Sequence, residues 1–125
     1  GRITLADYNK FAQEINATGN TYDIEIEVKV LDENPGKKTA QTTYEKIGEN
    51  VYYTEYTTQI MEDLNDASNN NTKYLKEGDI VSVSVKNTNT TISQLLRNFF
   101  YRVTGNDSST IGASNGGIVT VNGRN

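Results

Sequence analysis

Residues 76–103 read KEGDIVSVSVKNTNTTISQLLRNFFYRV, and this stretch decides the fold class. Val81, Val83 and Val85 alternate with polar residues, which is typical of a β-strand with one face in the core. After a polar bridge, apolar residues recur at helical spacing from Ile92 to Val103. Because the two hydrophobic periods follow each other so closely, the stretch predicts a strand–turn–helix unit that supplies much of the core.

Three other segments have strand character. From Tyr22 to Leu31, apolar residues alternate with charged ones, which predicts a strand with one face in water. The turn at 34–36 leads into a second strand from Ala40 to Lys46. The tail from Thr110 to Val121 contains an Asn-Gly turn signal at 115–116. We interpret this tail as a single bent strand, and a hairpin is the alternative.

Two further segments have helical character. Thr4 is the expected N-cap of a helix from Leu5 to Ala17, because a threonine hydroxyl can accept from a free amide of the first turn. Apolar residues also suit a helix from Val51 to Ala67. The β-branched and aromatic residues from Val51 to Thr58 leave a strand possible for its first half.

Together these elements predict an α+β fold in one domain that spans residues 1–125. We expect a mostly antiparallel four-stranded sheet, with about three helices packed largely on one of its faces. The predicted strands run from Tyr22 to Leu31, from Ala40 to Lys46, from Asp79 to Asn87 and from Thr110 to Val121.

Composition argues against several functional classes. The net charge is −4 and the lysines and arginines are scattered, so the basic stripe that nucleic-acid binding needs is missing. The chain has no histidine and no cysteine, which removes the usual transition-metal ligands and nucleophile–base pairs. Gly112 to Gly116 does not have the spacing of a serine-nucleophile elbow. We therefore predict a protein that is not an enzyme, uses no cofactor and binds no nucleic acid.

Two groups of residues are candidates for binding. Tyr52, Tyr53 and Tyr56 could form a platform for a glycan or a protein partner, although such tyrosines are more often half-buried rim residues. The acidic and amide residues of the segment 63–72 offer oxygen ligands for calcium. They lack the spacing of an EF-hand, so a calcium site stays an open alternative.

Several stretches of the chain resemble small exported pilin-like proteins, the Tad/Flp-type pseudopilins of Gram-positive gut anaerobes. The similarity covers most of the chain, and its motifs are structural. They are Ile3-Thr4, Asp7-Tyr8, ATGNTYD at 17–23, LKEGDIVSVSVKN at 75–87 and LLRNFFY at 95–101. The resemblance implies one N-terminal membrane helix that carries an extracytoplasmic α+β head in or near a thin surface pilus. It implies no catalytic residues.

The resemblance leads to a functional expectation. We expect the soluble head of a membrane-anchored, cell-surface protein that assembles with other pilus or surface subunits. The helix that starts at Leu5 would continue into an anchor upstream of the given sequence, and contacts would lie on that helix and on the region 52–71. The alternative is a free-standing extracellular module that binds a glycan or a peptide.

Overall fold

The computed structural model describes residues 1–17, 23–32, 44–86, 90–105, 110–114 and 117–125. Its helices are α1 (Leu5–Asn16), α2 (Thr57–Leu64) and α3 (Thr90–Thr104), with a short 3-10 helix at Ala67–Asn69. Its strands are β1 (Arg2–Thr4), β2 (Ile24–Leu31), β3 (Tyr44–Ile47), β4 (Asn50–Glu55), β5 (Thr72–Tyr74), β6 (Ile80–Lys86), β7 (Thr110–Ser114) and β8 (Ile118–Arg124).

The strands form two antiparallel sheets. The larger sheet has six strands in the order β3-β4-β2-β6-β8-β7, and β1 pairs with β5 in a separate sheet of two. The predicted α+β class, the antiparallel pairing and the three helices are therefore confirmed. The prediction of four strands is wrong, because β4 forms, the tail divides into two strands and a short β1–β5 pair is present. A strand in the β4 region and a hairpin in the tail were the alternatives to the predicted elements.

Several predicted boundaries are confirmed within a few residues. The strand predicted from Tyr22 to Leu31 is β2, and the strand predicted from Asp79 to Asn87 is β6. The helix predicted from Leu5 is α1, and α3 ends at Thr104, directly before Gly105, which has a φ of +68°. Of the strand predicted from Ala40 to Lys46, the structure describes β3, and residues 40–43 lie outside the described residues.

The helix predicted from Val51 to Ala67 is wrong in its first half, where the chain forms β4. β-Branched and aromatic residues favour the strand there. α2 begins where the chain leaves the sheet, and the Thr57 hydroxyl takes over the hydrogen bonding that a further strand residue would supply. Thr57 Oγ1 accepts from the Ile26 amide at 3.0 Å and donates to the Ile26 carbonyl at 3.2 Å.

The tail forms two strands, so the prediction of a single bent strand is wrong. β7 pairs with β8 in antiparallel register, with Ser114 opposite Ile118. The Asn-Gly signal at 115–116 falls between the two strands, although these two residues lie outside the described residues. The alternative of two paired strands is therefore confirmed, and the small size of the β7 residues does not prevent β7 from pairing with β8.

The core lies between the inner rows of the large sheet and the helices. β2, β6 and β8 contribute alternate residues, as the period-two pattern predicts, and each helix contributes its apolar stripe. The buried cluster is Ile3, Phe11, Ile15, Ile26, Val28, Val30, Ile60, Leu64, Val81, Val83, Val85, Ile92, Leu96, Phe99, Phe100, Val103 and Val121. The strand–helix unit at 76–103 supplies eight of these residues, so its predicted role as core builder is confirmed.

The N-terminal helix has a defined start. Thr4 is extended, with φ −104° and ψ 154°, and its Oγ1 accepts from the Asp7 amide at 3.1 Å. The predicted N-cap is therefore confirmed. The expectation that α1 continues upstream as an anchor helix is wrong, because β1 precedes α1 and pairs with β5. Among the described residues, none of the helices has the length and apolar character required to span a membrane.

Candidate functional site

The three tyrosines singled out from the sequence do not share one surface. Tyr52 and Tyr53 are neighbours in β4 and therefore point to opposite faces of the sheet. Tyr53 lies opposite Val30 and Tyr44 and is half-buried against the core, whereas Tyr52 is fully buried. Tyr56 precedes α2 and is 56% exposed. Of the three, Tyr56 is the one whose ring is largely available to a ligand.

A fourth tyrosine, which the sequence analysis did not single out, is as exposed as Tyr56. Tyr74 ends β5 and is 54% exposed. Tyr56 follows Glu55 and Tyr74 follows Lys73, and Lys73 Nζ lies 2.6 Å from Glu55 Oε2. The ion pair therefore joins the strand residues that precede the two tyrosines in the chain. No short-range sequence signal could have revealed this, because 18 residues separate the partners of the ion pair.

The lysine of this ion pair is held by two carboxylates. Its side chain is only 11% exposed, and its Nζ also lies 3.8 Å from Asp63 Oδ2 in α2. Lys73 thus ties β5 to β4 and to α2. The arrangement fixes the backbone beneath Tyr56 and Tyr74, and we call these two residues the tyrosine pair.

The segment proposed as a calcium site uses its side chains to hold its own backbone. Asp66 Oδ1 accepts from the Ser68 amide and hydroxyl, at 2.9 and 2.6 Å, and caps the 3-10 helix. Asn69 and Asn71 donate to the carbonyls of Thr72 and Leu64, at 2.8 and 2.9 Å. These contacts explain the polar residues without an ion. Within the described residues, no cluster of three acidic side chains could hold a metal.

The outer face of the large sheet is polar over part of its area. Its rows include Glu25, Ser84 and Thr120, which lie opposite one another across β2, β6 and β8, and Ser84 Oγ lies 3.0 Å from Thr120 Oγ1. A groove of about 160 Å³ at one end of this face is lined by Asp23, Glu25, Ser84, Lys86 and Ile118. This volume is well below the roughly 300–1,000 Å³ typical of a small-molecule pocket. The acidic row of β2 is therefore best described as a solvated strand face.

The two edges of the large sheet differ in character. β3 is one edge, and it carries Glu45 and Lys46, with Glu45 in an ion pair with Lys29 of β2. β7 is the other edge, with the sequence Thr-Ile-Gly-Ala-Ser. Charged residues and proline commonly prevent an edge strand from pairing with another chain. β7 contains neither, and in the part of the chain that the structure describes it pairs with β8 alone.

Comparison of the chain with protein-family models, with curated proteins and with solved structures finds no match. Function is therefore inferred from the surfaces described above. Two of them differ from an ordinary solvated surface: the uncharged edge strand β7 and the tyrosine pair.

Proposed function

We propose that this chain is the non-enzymatic head of a pilin-like, membrane-anchored surface protein, and that it works by assembling with other subunits outside the cytoplasm. The observation that carries the proposal is the uncharged edge strand β7. An exposed edge presents unpaired backbone amides and carbonyls, to which a strand of another subunit can add. The family resemblance of the sequence supports the same class of function.

The position of the N-terminus is compatible with this role. The Gly1 carbonyl accepts from the Leu75 amide at 3.0 Å, so the first residue is held against the end of β5. A Cβ at Gly1 would lie 2.2 Å from the Val103 carbonyl oxygen and from Asn125 Oδ1, which places Gly1 beside the end of α3 and Asn125. A segment upstream of Gly1 would leave the domain there. An anchor on such a segment would reach the domain through β1 and not as an extension of α1.

The test is site-specific photocrosslinking in cells that express the full gene. A photoreactive residue in place of Thr110, at the β7 edge, should yield crosslinked surface assemblies that contain this chain. The same residue in place of Lys46, at the charged β3 edge, is the matched control and should yield few. If no variant enters a surface assembly, or if the chain stays in the cytoplasm, the proposal is wrong.

A second candidate function is the binding of a glycan, and the tyrosine pair favours it. Exposed aromatic rings on a fixed backbone present flat apolar faces with a polar hydroxyl, a combination common at binding surfaces. Binding to a glycan array should be lost in the variants Tyr56→Ala and Tyr74→Ala. Tyr101 in α3 is 55% exposed, so Tyr101→Ala is the matched control and should bind as before. An unmodified protein that binds no glycan would exclude this function.

A further inference from the structure

We propose that two copies of this chain pair through β7, in antiparallel register about a two-fold axis at Gly112. The inference rests on the proposed function, assembly through protein contacts, and names the partner as a second copy of the chain. It follows from three properties of β7: its position at the edge, its lack of charge and the symmetry of its sequence.

The sequence of β7 is symmetric about Gly112 in residue type, and this symmetry favours pairing with a second copy of the same strand. When two copies run antiparallel about Gly112, Thr110 lies opposite Ser114 of the second copy and Ile111 lies opposite Ala113 of the second copy. Hydroxyl residues therefore meet hydroxyl residues, and apolar residues meet apolar residues, both of which are favourable cross-strand pairs. The edge strand β3, with Glu45 next to Lys46, has no such symmetry about its centre.

The register of β7 on β8 is consistent with a sheet that continues across the two copies. Ile111 pairs with Val121 and Ala113 pairs with Val119, which belong to the core row of β8. Thr110, Gly112 and Ser114 pair with the polar-face row of β8. A two-fold axis perpendicular to the sheet keeps each row on its own face. The core sides of both copies would therefore lie on the same side of the joined sheet, as an isologous dimer requires.

The association should be weak. A pairing of two five-residue strands buries far less than the roughly 1,200–2,000 Å² of a stable interface. We therefore expect dimers only at concentrations on the order of 100 μM or above. Each copy carries a net charge of −4, so the two copies repel each other. Dimerisation should be stronger at about 0.5 M salt than at about 0.05 M, because added salt screens this repulsion.

Single cysteines test the register, since the chain contains no cysteine of its own. Directly opposed residues of antiparallel strands have Cα atoms about 4.5–5.5 Å apart, within the range of a disulfide. Gly112→Cys should therefore form a disulfide-linked dimer under mild oxidation. Thr110→Cys and Ser114→Cys should not do so alone. In the proposed register each cysteine lies four residues, about 13 Å along the strand, from the same cysteine of the second copy. A mixture of these two variants should crosslink.

Every outcome of this experiment decides the proposal. Crosslinking of Gly112→Cys, and of the mixture but not of its separate components, supports the proposed register. Failure of Gly112→Cys to crosslink at millimolar protein contradicts it. Equal crosslinking of Thr110→Cys alone, Ser114→Cys alone and Gly112→Cys also contradicts it, because random collision would then explain the products.

Sedimentation velocity over a concentration series measures the association without crosslinks. Gly112→Lys places a charge at the edge and should abolish the dimer. Ser82→Lys places the same charge in β6, in the middle of the polar face, and should leave the dimer intact. Circular dichroism of both variants shows whether each remains folded. A monomeric unmodified protein at about 1 mM, or loss of the dimer in Ser82→Lys alone, would overturn the proposal.

The two proposals can fail separately. If purified protein pairs through β7 but no surface assembly contains the chain, the assembly function is wrong and the pairing stands. If surface assemblies contain the chain but crosslink through residues away from β7, the assembly function stands and the pairing is wrong.

Discussion

The ring of Phe11 stacks on the ring of Phe99, with centroids 4.5 Å apart and planes 9° apart. Phe11 belongs to α1 and Phe99 to α3, and both side chains are buried. This contact joins the N-terminal helix to the strand–helix unit that builds the core. Helices in proteins gain much of their stability from such packing and not from helix propensity.

The stacked pair should contribute measurably to stability. Phe99→Ala should lower the free energy of unfolding by about 3–5 kcal/mol, because it removes a buried aromatic ring and leaves a cavity. A double-mutant cycle with Phe11→Leu and Phe99→Leu should give a coupling of about 0.5–1.5 kcal/mol, measured by urea denaturation. Tyr101→Ala, at an exposed position of α3, is the control and should change stability by less than about 0.5 kcal/mol. A coupling near zero would contradict the role of the stack.

Asp79 should be important for stability. Its carboxylate is buried, and it accepts from the Leu31 amide and from the Lys76 amide, each at 2.9 Å. It therefore joins the end of β2 to the turn before β6. Asp79→Ala leaves both amides without this acceptor and should cost about 1–3 kcal/mol of unfolding free energy. Glu77→Ala, in the same turn but exposed, should have little effect on the unfolding free energy. Thermal denaturation of both variants measures these changes. Equal losses in the two variants would argue against the role of Asp79.

Tyr52 offers a test of a buried hydroxyl. Its hydroxyl is buried and has no hydrogen-bond partner within the described part of the chain. An unsatisfied buried hydroxyl is unfavourable, so Tyr52→Phe should leave the melting temperature unchanged or raise it. Tyr52→Ala removes the whole ring and should cost about 3–5 kcal/mol. A clear loss of stability in Tyr52→Phe would show that the hydroxyl has a function in the folded protein.

Tyr8 should make stability depend on alkaline pH. Burial raises the pKa of the Tyr8 hydroxyl above its ordinary value of 10.0. The unfolded chain therefore loses this proton at a lower pH than the folded chain does. The stabilising effect of the neutral form is fully present below pH 10 and is lost as the pH rises through the folded pKa. Tyr8→Phe should thus lose less unfolding free energy between pH 8 and pH 11 than the unmodified protein, whereas the exposed-site control Tyr56→Phe should behave like the unmodified protein.

Local patterns were enough to predict α1, α3, β2 and β6. In each of them the hydrophobic period lies within the element itself, and the N-cap Thr4 and the glycine Gly105 lie directly beside α1 and α3. The region around Val51 was ambiguous because its aromatic and β-branched residues suit a strand, while Ile60 and Leu64 continue a helical spacing. Its resolution required β2, since β4 forms by pairing with β2 from Val28 to Leu31. The hairpin of β7 and β8 was the alternative and not the preferred prediction, because the residues of β7 are small.

The sequence by itself determined the fold class and the main core builder, because both follow from hydrophobic periods and local capping within short stretches. The tertiary structure decided the surfaces. It buried Tyr52, half-buried Tyr53 and exposed Tyr56, since the alternation of β4 and the cover on each face set these outcomes. It joined β5 to β4 through the Lys73–Glu55 ion pair, next to Tyr74 and Tyr56. It also placed β7 at the edge of the sheet. Such contacts join residues that are far apart in the chain, and no local pattern encodes them.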